Sequence, residues 1–298
     1  MTEEARGAGR QAPVAEERGA GRRGPGVVAI VGVGLIGGSF ALALRVSGFA
    51  GRIIGVSSPS AVRVALEHGV IDEALPLADA AARADLIYLA RPIEGILAVL
   101  DEIDAHVGPG TLITDAGSTK SAICARAAEK IRRGRFVGGH PMAGKEARGA
   151  AEADASLFRG RPYILTSRCE ELEALIAGIG ARLVILSAEE HDALVALTSH
   201  LPQLISTALA ASIGTQTETA RVAGPAAMDL TRLALSPYDI WRDIFATNGA
   251  NVDAALGVFI AKLEELRAVL KDPARMEKEF ELAAGAARAL RAEQKSPG

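Results

Sequence analysis

Cysteine is scarce: Cys124 and Cys169 are the two cysteines in 298 residues. That excludes a disulfide framework or a cysteine-rich metal site and fits a reduced, cytoplasmic chain. The five histidines show no metal-ligand spacing, so no metal is expected. His68 and His106 read as surface residues, and His191 sits among acids at a helix start. A strong charge bias is absent too. A formal charge of −3 and a pI near 6.0 leave no electrostatic footprint for nucleic acid. The apolar run closest to bilayer length, Ala193 to Gly214, carries His200, Pro202 and Gln203 near its middle. Polar groups are costly at that depth in lipid, so a helix buried in protein is expected there and not a membrane span.

What is present is a chain able to bury a core, 49% hydrophobic and 23% charged, long enough for one large or two ordinary domains. Residues 1–26 are rich in Gly, Ala, Arg and Glu with almost no large apolar side chain, and they read as a disordered tail. They have no apolar h-region, and Glu3, Glu4, Glu16 and Glu17 speak against a transit peptide. From Val27 onward short apolar runs alternate with helical stretches. Strands are expected at 27–31, 52–56, 85–90, 111–115, 135–138, 163–166 and 183–186. Such alternation predicts a doubly wound parallel sheet, an α/β domain over 27–187. From 188 to 294 the pattern is helical throughout, with helices at 189–214, 217–223, 237–247, 250–270 and 273–293. Leu256, Phe259, Ile260, Leu263, Leu266 and Leu270 recur at helical spacing and form a wide apolar face. A homodimer interface is expected there.

The motifs carry the chemistry. Gly32-Val33-Gly34-Leu35-Ile36-Gly37 follows the first strand and opens a helix, the setting a dinucleotide fingerprint requires. Gly32 allows the tight turn, Gly34 lets the backbone approach a pyrophosphate, and Gly37 allows close helix–strand packing. Leu35 and Ile36 offer the free N–H groups of a helix start. The second strand usually ends on an acid that holds the ribose hydroxyls of NAD. Ser57 stands there instead, and Arg63 is the nearest arginine downstream, so both NAD and NADP stay open. Ala90-Arg91-Pro92 closes the fourth strand, where Arg91 can meet a phosphate. Asp115 and Gly117 close the fifth, under the nicotinamide, and Ser118 either donates to a substrate oxygen or caps a helix. His140, between Gly139 and Pro141, is the candidate general base. Pro202 removes a backbone donor mid-helix and predicts a kink that turns His200 and Gln203 toward a ligand. Arg232 is the candidate grip for a carboxylate.

Together these segments resemble the prephenate and arogenate dehydrogenase family of tyrosine biosynthesis. The resemblance rests on GVGLIGGS at 32–39, DAGSTK at 115–120, GGHPMAG at 138–144, HLPQ at 200–203, and the stretch from LTRLA at 230–234 to WRDI at 241–244. It implies a Rossmann domain followed by an all-helical dimerisation domain. It also implies an oxidative decarboxylation in which His140 accepts the substrate hydroxyl's proton while hydride leaves for NAD or NADP. Ser118 would bind the same hydroxyl, Arg232 a substrate carboxylate, and Glu146 and Asp229 would form a charged network beside that arginine. Many prephenate users carry a second histidine where this chain has Gln203, near the substrate's side chain, so prephenate and arogenate both remain open. Two other readings share the plan. A β-hydroxyacid dehydrogenase generally uses a lysine base on its helical domain, and no lysine lies between Glu189 and Thr247. A non-enzymatic dinucleotide sensor would need the glycine turn but neither base nor carboxylate grip.

Overall fold

The computed structural model describes residues 24–293. The expectation of a disordered tail over 1–26 therefore lies almost wholly outside the described residues. Six strands form one parallel sheet: β1 (Val27–Val31), β2 (Arg52–Val56), β3 (Glu73–Ala74), β4 (Leu86–Leu89), β5 (Leu112–Asp115) and β6 (Arg135–Val137). Their order is β3-β2-β1-β4-β5-β6, so the strand order reverses between β1 and β4, where such sheets open a ligand crevice. The connecting helices are α1 (Leu35–Val46), α2 (Pro59–Glu67), α3 (Leu77–Arg83), α4 (Ile93–Glu102) and α5 (Ser121–Lys130).

Continuous apolar runs form these strands because both faces are covered. Successive side chains alternate between two cores. Val28, Ile30, Leu86 and Tyr88 pack with Phe40 and Leu44 of α1, and the Phe40 and Tyr88 rings stack at 4.0 Å. Ala29, Val31, Ile87 and Leu89 pack with Ile96 and Leu100 of α4. Each such large side chain contributes about 1.5–3 kcal/mol on burial, so these two layers hold the sheet together.

The late strands expected at 163–166 and 183–186 do not extend the parallel sheet. They form a second, three-stranded sheet of β7 (Gly139–Pro141), β8 (Pro162–Leu165) and β9 (Arg182–Ile185), with α6 (Glu170–Gly178) between the last two. β7 runs antiparallel to β8, and His140 pairs in register with Ile164. The chain changes sheets at Gly138, whose N–H and C=O both bond Thr166. A Gly-His-Pro strand has no local signature, because glycine and proline are depleted from strands.

Past β9 the described chain is helical. α7 (Ala188–Val195) starts on a reciprocal cap between Ser187 and Glu190. A π-helical turn, Ala196–His200, leads into α8 (Leu201–Ile213). This turn is the form the kink expected at Pro202 takes, since π turns absorb lost i→i−4 bonds. α9 (Pro225–Thr231), α10 (Tyr238–Val269) and α11 (Pro273–Glu293) follow. The two helices expected at 237–247 and 250–270 are one, bent at Asn248, whose φ of −131° is non-helical. Ala188–Ile213 and Tyr238–Val269 are long and apolar enough to cross a membrane by length and composition. Each nevertheless carries buried polar side chains: Asp192, His200 and Gln203 in the first, Asp243 and Asn248 in the second. The Asp243 carboxylate accepts from the Glu94 N–H at 3.2 Å, and Thr119 and Thr247 share a hydroxyl bond of 2.8 Å. These contacts fasten α10 across the crevice.

Candidate active site

The glycine turn meets the dinucleotide requirement on steric grounds. Gly32 has φ +101°, and a Cβ there would lie 2.3 Å from the Ala90 carbonyl oxygen. A Cβ on Gly37 would lie 2.1 Å from the Gly32 oxygen. Gly34, at the N-cap of α1, faces open space, as the approach of a pyrophosphate demands. Leu35 is buried and Ile36 lines the cleft. That cleft holds a cavity of about 290 Å³ bounded by Ile36, Ala90, Arg91, Pro92, Gly117 and Ser118, with Asp243 and Ile244 opposite. Ser57 is exposed at the end of β2, next to Ser58, which caps α2.

Ser118 is half-buried in the cavity wall and does not cap α5, whose N-cap is Lys120. The capping alternative therefore falls away. Asp115 departs from expectation more sharply. It is fully buried, and its carboxylate accepts from the Gly117 N–H (2.8 Å) and the Gly139 N–H (3.1 Å) and pairs with buried Lys120. With both oxygens engaged, it is an internal brace and not a cofactor contact. The cavity is also lined by an ion pair that sequence reading missed, Arg148 with Asp239 at 3.0 and 3.1 Å.

His140 is not among the residues that bound this cavity, but its neighbour Gly139 shares the Asp115 carboxylate with Gly117 of the cavity wall. His140 Nδ1 lies 2.8 Å from Nε2 of His191, and Nδ1 of His191 lies 2.8 Å from Asp192. His191 and Asp192 are buried at the start of α7. Burial opposes the Asp192 charge, but bonds from His191 and from the Ser121 and Lys120 N–H groups hold its carboxyl below the usual range. An ionised Asp192 accepts, so His191 donates from Nδ1 and presents a bare Nε2. His140 must then donate from Nδ1, which leaves its own Nε2 as the acceptor. Burial, then the neighbouring His191, Lys120 and His200, hold the His140 imidazole well below its ordinary value of 6.5. It is neutral at neutral pH, as a base must be. His191 was passed over in the sequence because its partner lies 51 positions away, and no local spacing signals that contact.

On the helical side, His200 is buried, and burial lowers its imidazole to about 4. The bend at Asn248 lets that amide donate to the Asp192 carbonyl (2.8 Å) and reach His200 Nδ1 (3.2 Å). Gln203 Nε2 donates to the Leu233 carbonyl at 2.9 Å, which fixes the amide's orientation. Its Oε1 is buried with no donor among the described residues. Arg232 is exposed and reaches Glu146 at 3.3 Å. Asp229 makes no ion pair among the described residues, so the expected network holds for one acid of the two.

Residues 40–185 match the family description "Prephenate dehydrogenase, nucleotide-binding domain", and residues 187–284 match "Prephenate dehydrogenase, dimerization domain". The chain belongs to the prephenate dehydrogenase family. The first match begins beyond the glycine turn, so the turn stands on its own geometry. The chain is 35% identical to a prephenate dehydrogenase of Lactococcus lactis, over 74% of this chain and 64% of that one. It is 36% identical to a prephenate dehydrogenase of Bacillus subtilis, over 80% of this chain and 69% of that one. It thus spans about two thirds of the length of these prephenate dehydrogenase relatives. A solved structure of prephenate dehydrogenase from A. aeolicus, in complex with hydroxyphenyl propionate and NAD+, superposes with a TM-score of 0.81. That match has 30% identity and covers 89% of this chain and 98% of the other.

Proposed function

We propose that this chain is an NAD(P)-dependent prephenate dehydrogenase of tyrosine biosynthesis, working as a cytoplasmic homodimer. The reaction converts prephenate and oxidised nicotinamide into 4-hydroxyphenylpyruvate, CO2 and reduced nicotinamide. The nicotinamide, when bound, takes the hydride from the carbinol carbon C4. The observation that carries the reading is the ordered chain Asp192–His191–His140, which leaves His140 Nε2 ready to accept the C4 hydroxyl proton. As that proton arrives, His191 and the Asp192 charge stabilise the imidazolium that forms, as the buried acid does in a catalytic triad. Ser118, in the cavity wall, hydrogen-bonds the same hydroxyl. Arg232 binds a substrate carboxylate and exchanges Glu146 for it. Loss of the C1 carboxylate as CO2 leaves its electron pair in the ring, which becomes aromatic with a phenolate oxygen at C4; that oxygen takes the proton back from His140 and gives the phenol.

The cofactor turn fits either nicotinamide. Ser57 places no carboxylate against a 2′-phosphate, so NADP is not repelled. A second reading, arogenate as substrate, is favoured by Gln203. Its Oε1 is a buried acceptor without a donor, and an alanyl ammonium would satisfy it where a pyruvyl ketone would not. Initial rates with prephenate or arogenate, each with NAD or NADP, test the whole reading. Rising absorbance of reduced nicotinamide in at least one pairing is expected. Silence in all four ends it.

A further inference from the structure

Lys120 is among the largest fully buried side chains, and its partner Asp115 is equally closed from water. Lysine is almost never buried without a partner, and a buried pair is a poor source of stability, because apolar side chains of the same size often do as well. The pair needs another reason, and its contacts supply one. The Lys120 ammonium donates to the Gly139 carbonyl at 2.8 Å, while Asp115 accepts from the Gly139 N–H at 3.1 Å. Both backbone groups of the residue before His140 are thus held by one ion pair. The same Asp115 accepts from the N–H of Gly117, the residue before Ser118. Gly139 is pressed so close that a Cβ would lie 2.6 Å from the Asp115 carbonyl oxygen. The Lys120 backbone N–H, in turn, donates to Asp192 at 2.7 Å, the acid that ends the histidine chain.

We propose that Asp115 and Lys120 are positioning residues: one buried ion pair clamps the backbone before His140 to the backbone before Ser118 and sets the distance between base and hydroxyl donor. The clamp rests on the reading of His140 as the base. It also puts a fixed cation near the imidazole. The ionisable groups that act on His140 are His191 from α7, His200 from the π turn and Lys120 from just before α5; Asp192 stands behind His191, and Asp115, at the end of β5, is paired to Lys120. Among these cations and imidazoles, Lys120 opposes protonation of His140.

The test uses the full chain. K120M removes the charge and the donor at similar volume. D115N/K120M leaves no lone charge in the interior and serves where K120M does not fold. Misplacing a base by about an ångström costs roughly 10²-fold in turnover. Both variants are expected to lose kcat on that order while keeping the wild-type Kd for the oxidised dinucleotide. In K120M the acid limb of the kcat profile moves to higher pH, because the opposing cation is gone. His140 titration followed by imidazole nitrogen NMR gives the same shift without any turnover, so it separates failure of the clamp from failure of the substrate reading. A folded variant with wild-type kcat and unshifted His140 titration overturns the clamp. So does a parallel loss of kcat, dinucleotide affinity and thermal stability, which is what a purely structural pair would give.

Discussion

The sheet half and the helical half dispose of their apolar residues in opposite ways. In the sheet half Val28, Ile30, Ile53, Ile54, Ile87 and Leu89 are closed from solvent by helices of the same chain. In the helical half the buried apolar cluster is small, built on Ala196, Leu201, Val252 and Ala255, with Leu256 and Phe259 packed against it. Ile260, Leu263, Leu270, Phe280 and Leu282 remain exposed. The face expected to pair is therefore split: Leu256 and Phe259 turn inward, while Ile260, Leu263 and Leu270 face out. Large exposed apolar surface marks an interaction site, and the match of this half to a dimerization domain agrees. Two ion pairs show a similar contrast in exposure. Asp115–Lys120 is shut inside the sheet half, whereas Glu146–Arg232 lies in solvent, where pairs are worth about 0–1 kcal/mol. A buried pair can hold geometry. An exposed one can let go for a substrate.

The proposed base draws on both halves, and the largest expected effects test that union. His140→Asn removes the sheet half's acceptor and should lower kcat by about 10²–10⁴-fold with substrate affinity retained; near-normal turnover removes His140 as the base. Asp192→Asn acts from the helical half. It frees His191 to take the other tautomer and should cost kcat on the order of 10²-fold, with circular dichroism unchanged. If turnover survives, the histidine chain plays no part in proton transfer. Leu263→Glu with Phe280→Glu sets the two halves against each other. Sedimentation should show a fall from dimer to monomer while the sheet half keeps its dinucleotide affinity, and a persistent dimer would place the interface elsewhere.

Acid should loosen the site in a defined window. His140 and His200 are held neutral in the fold, so the unfolded chain binds more protons below its ordinary value of about 6.5. The stability they contribute is present above pH 6.5 and is lost as pH falls toward the folded values. For buried His200, lowered from 6.5 to about 4, that amounts to about 3 kcal/mol. Urea unfolding between pH 7 and pH 4 should show the loss, and His200→Gln should reduce the slope. An unchanged slope would mean that the ring is hydrated. The smallest effect belongs to the sheet's edge. Ser57→Asp should shift the ratio of NADP to NAD dissociation constants toward NAD by roughly tenfold, about 1.4 kcal/mol. No shift would place the ribose away from β2.

Legibility followed the range of the contacts. β1, β2, α1 and the glycine turn were readable because each is specified by near neighbours: an apolar run, a steric bar on Cβ, a free helix start. The kink before Pro202 was readable for the same reason, though its π-helical form was not. β7 was invisible, since its strand character comes from β8, more than twenty positions on. Asp115 was assigned to the cofactor because strand-end acids often meet it, whereas Lys120 and two backbone N–H groups had already claimed it. His191 looked like one polar residue at a capped helix start, and only its approach to His140 gives it meaning.

The order of residues alone determined the parallel sheet, the dinucleotide turn and the family, because hydrophobic period and glycine sterics act within a few bonds. Tertiary structure alone decided which nitrogen of His140 is bare, what Asp115 holds, and which apolar residues stay uncovered. Those properties depend on groups from distant segments meeting within hydrogen-bond distance out of water, where one missing partner costs about 1–3 kcal/mol.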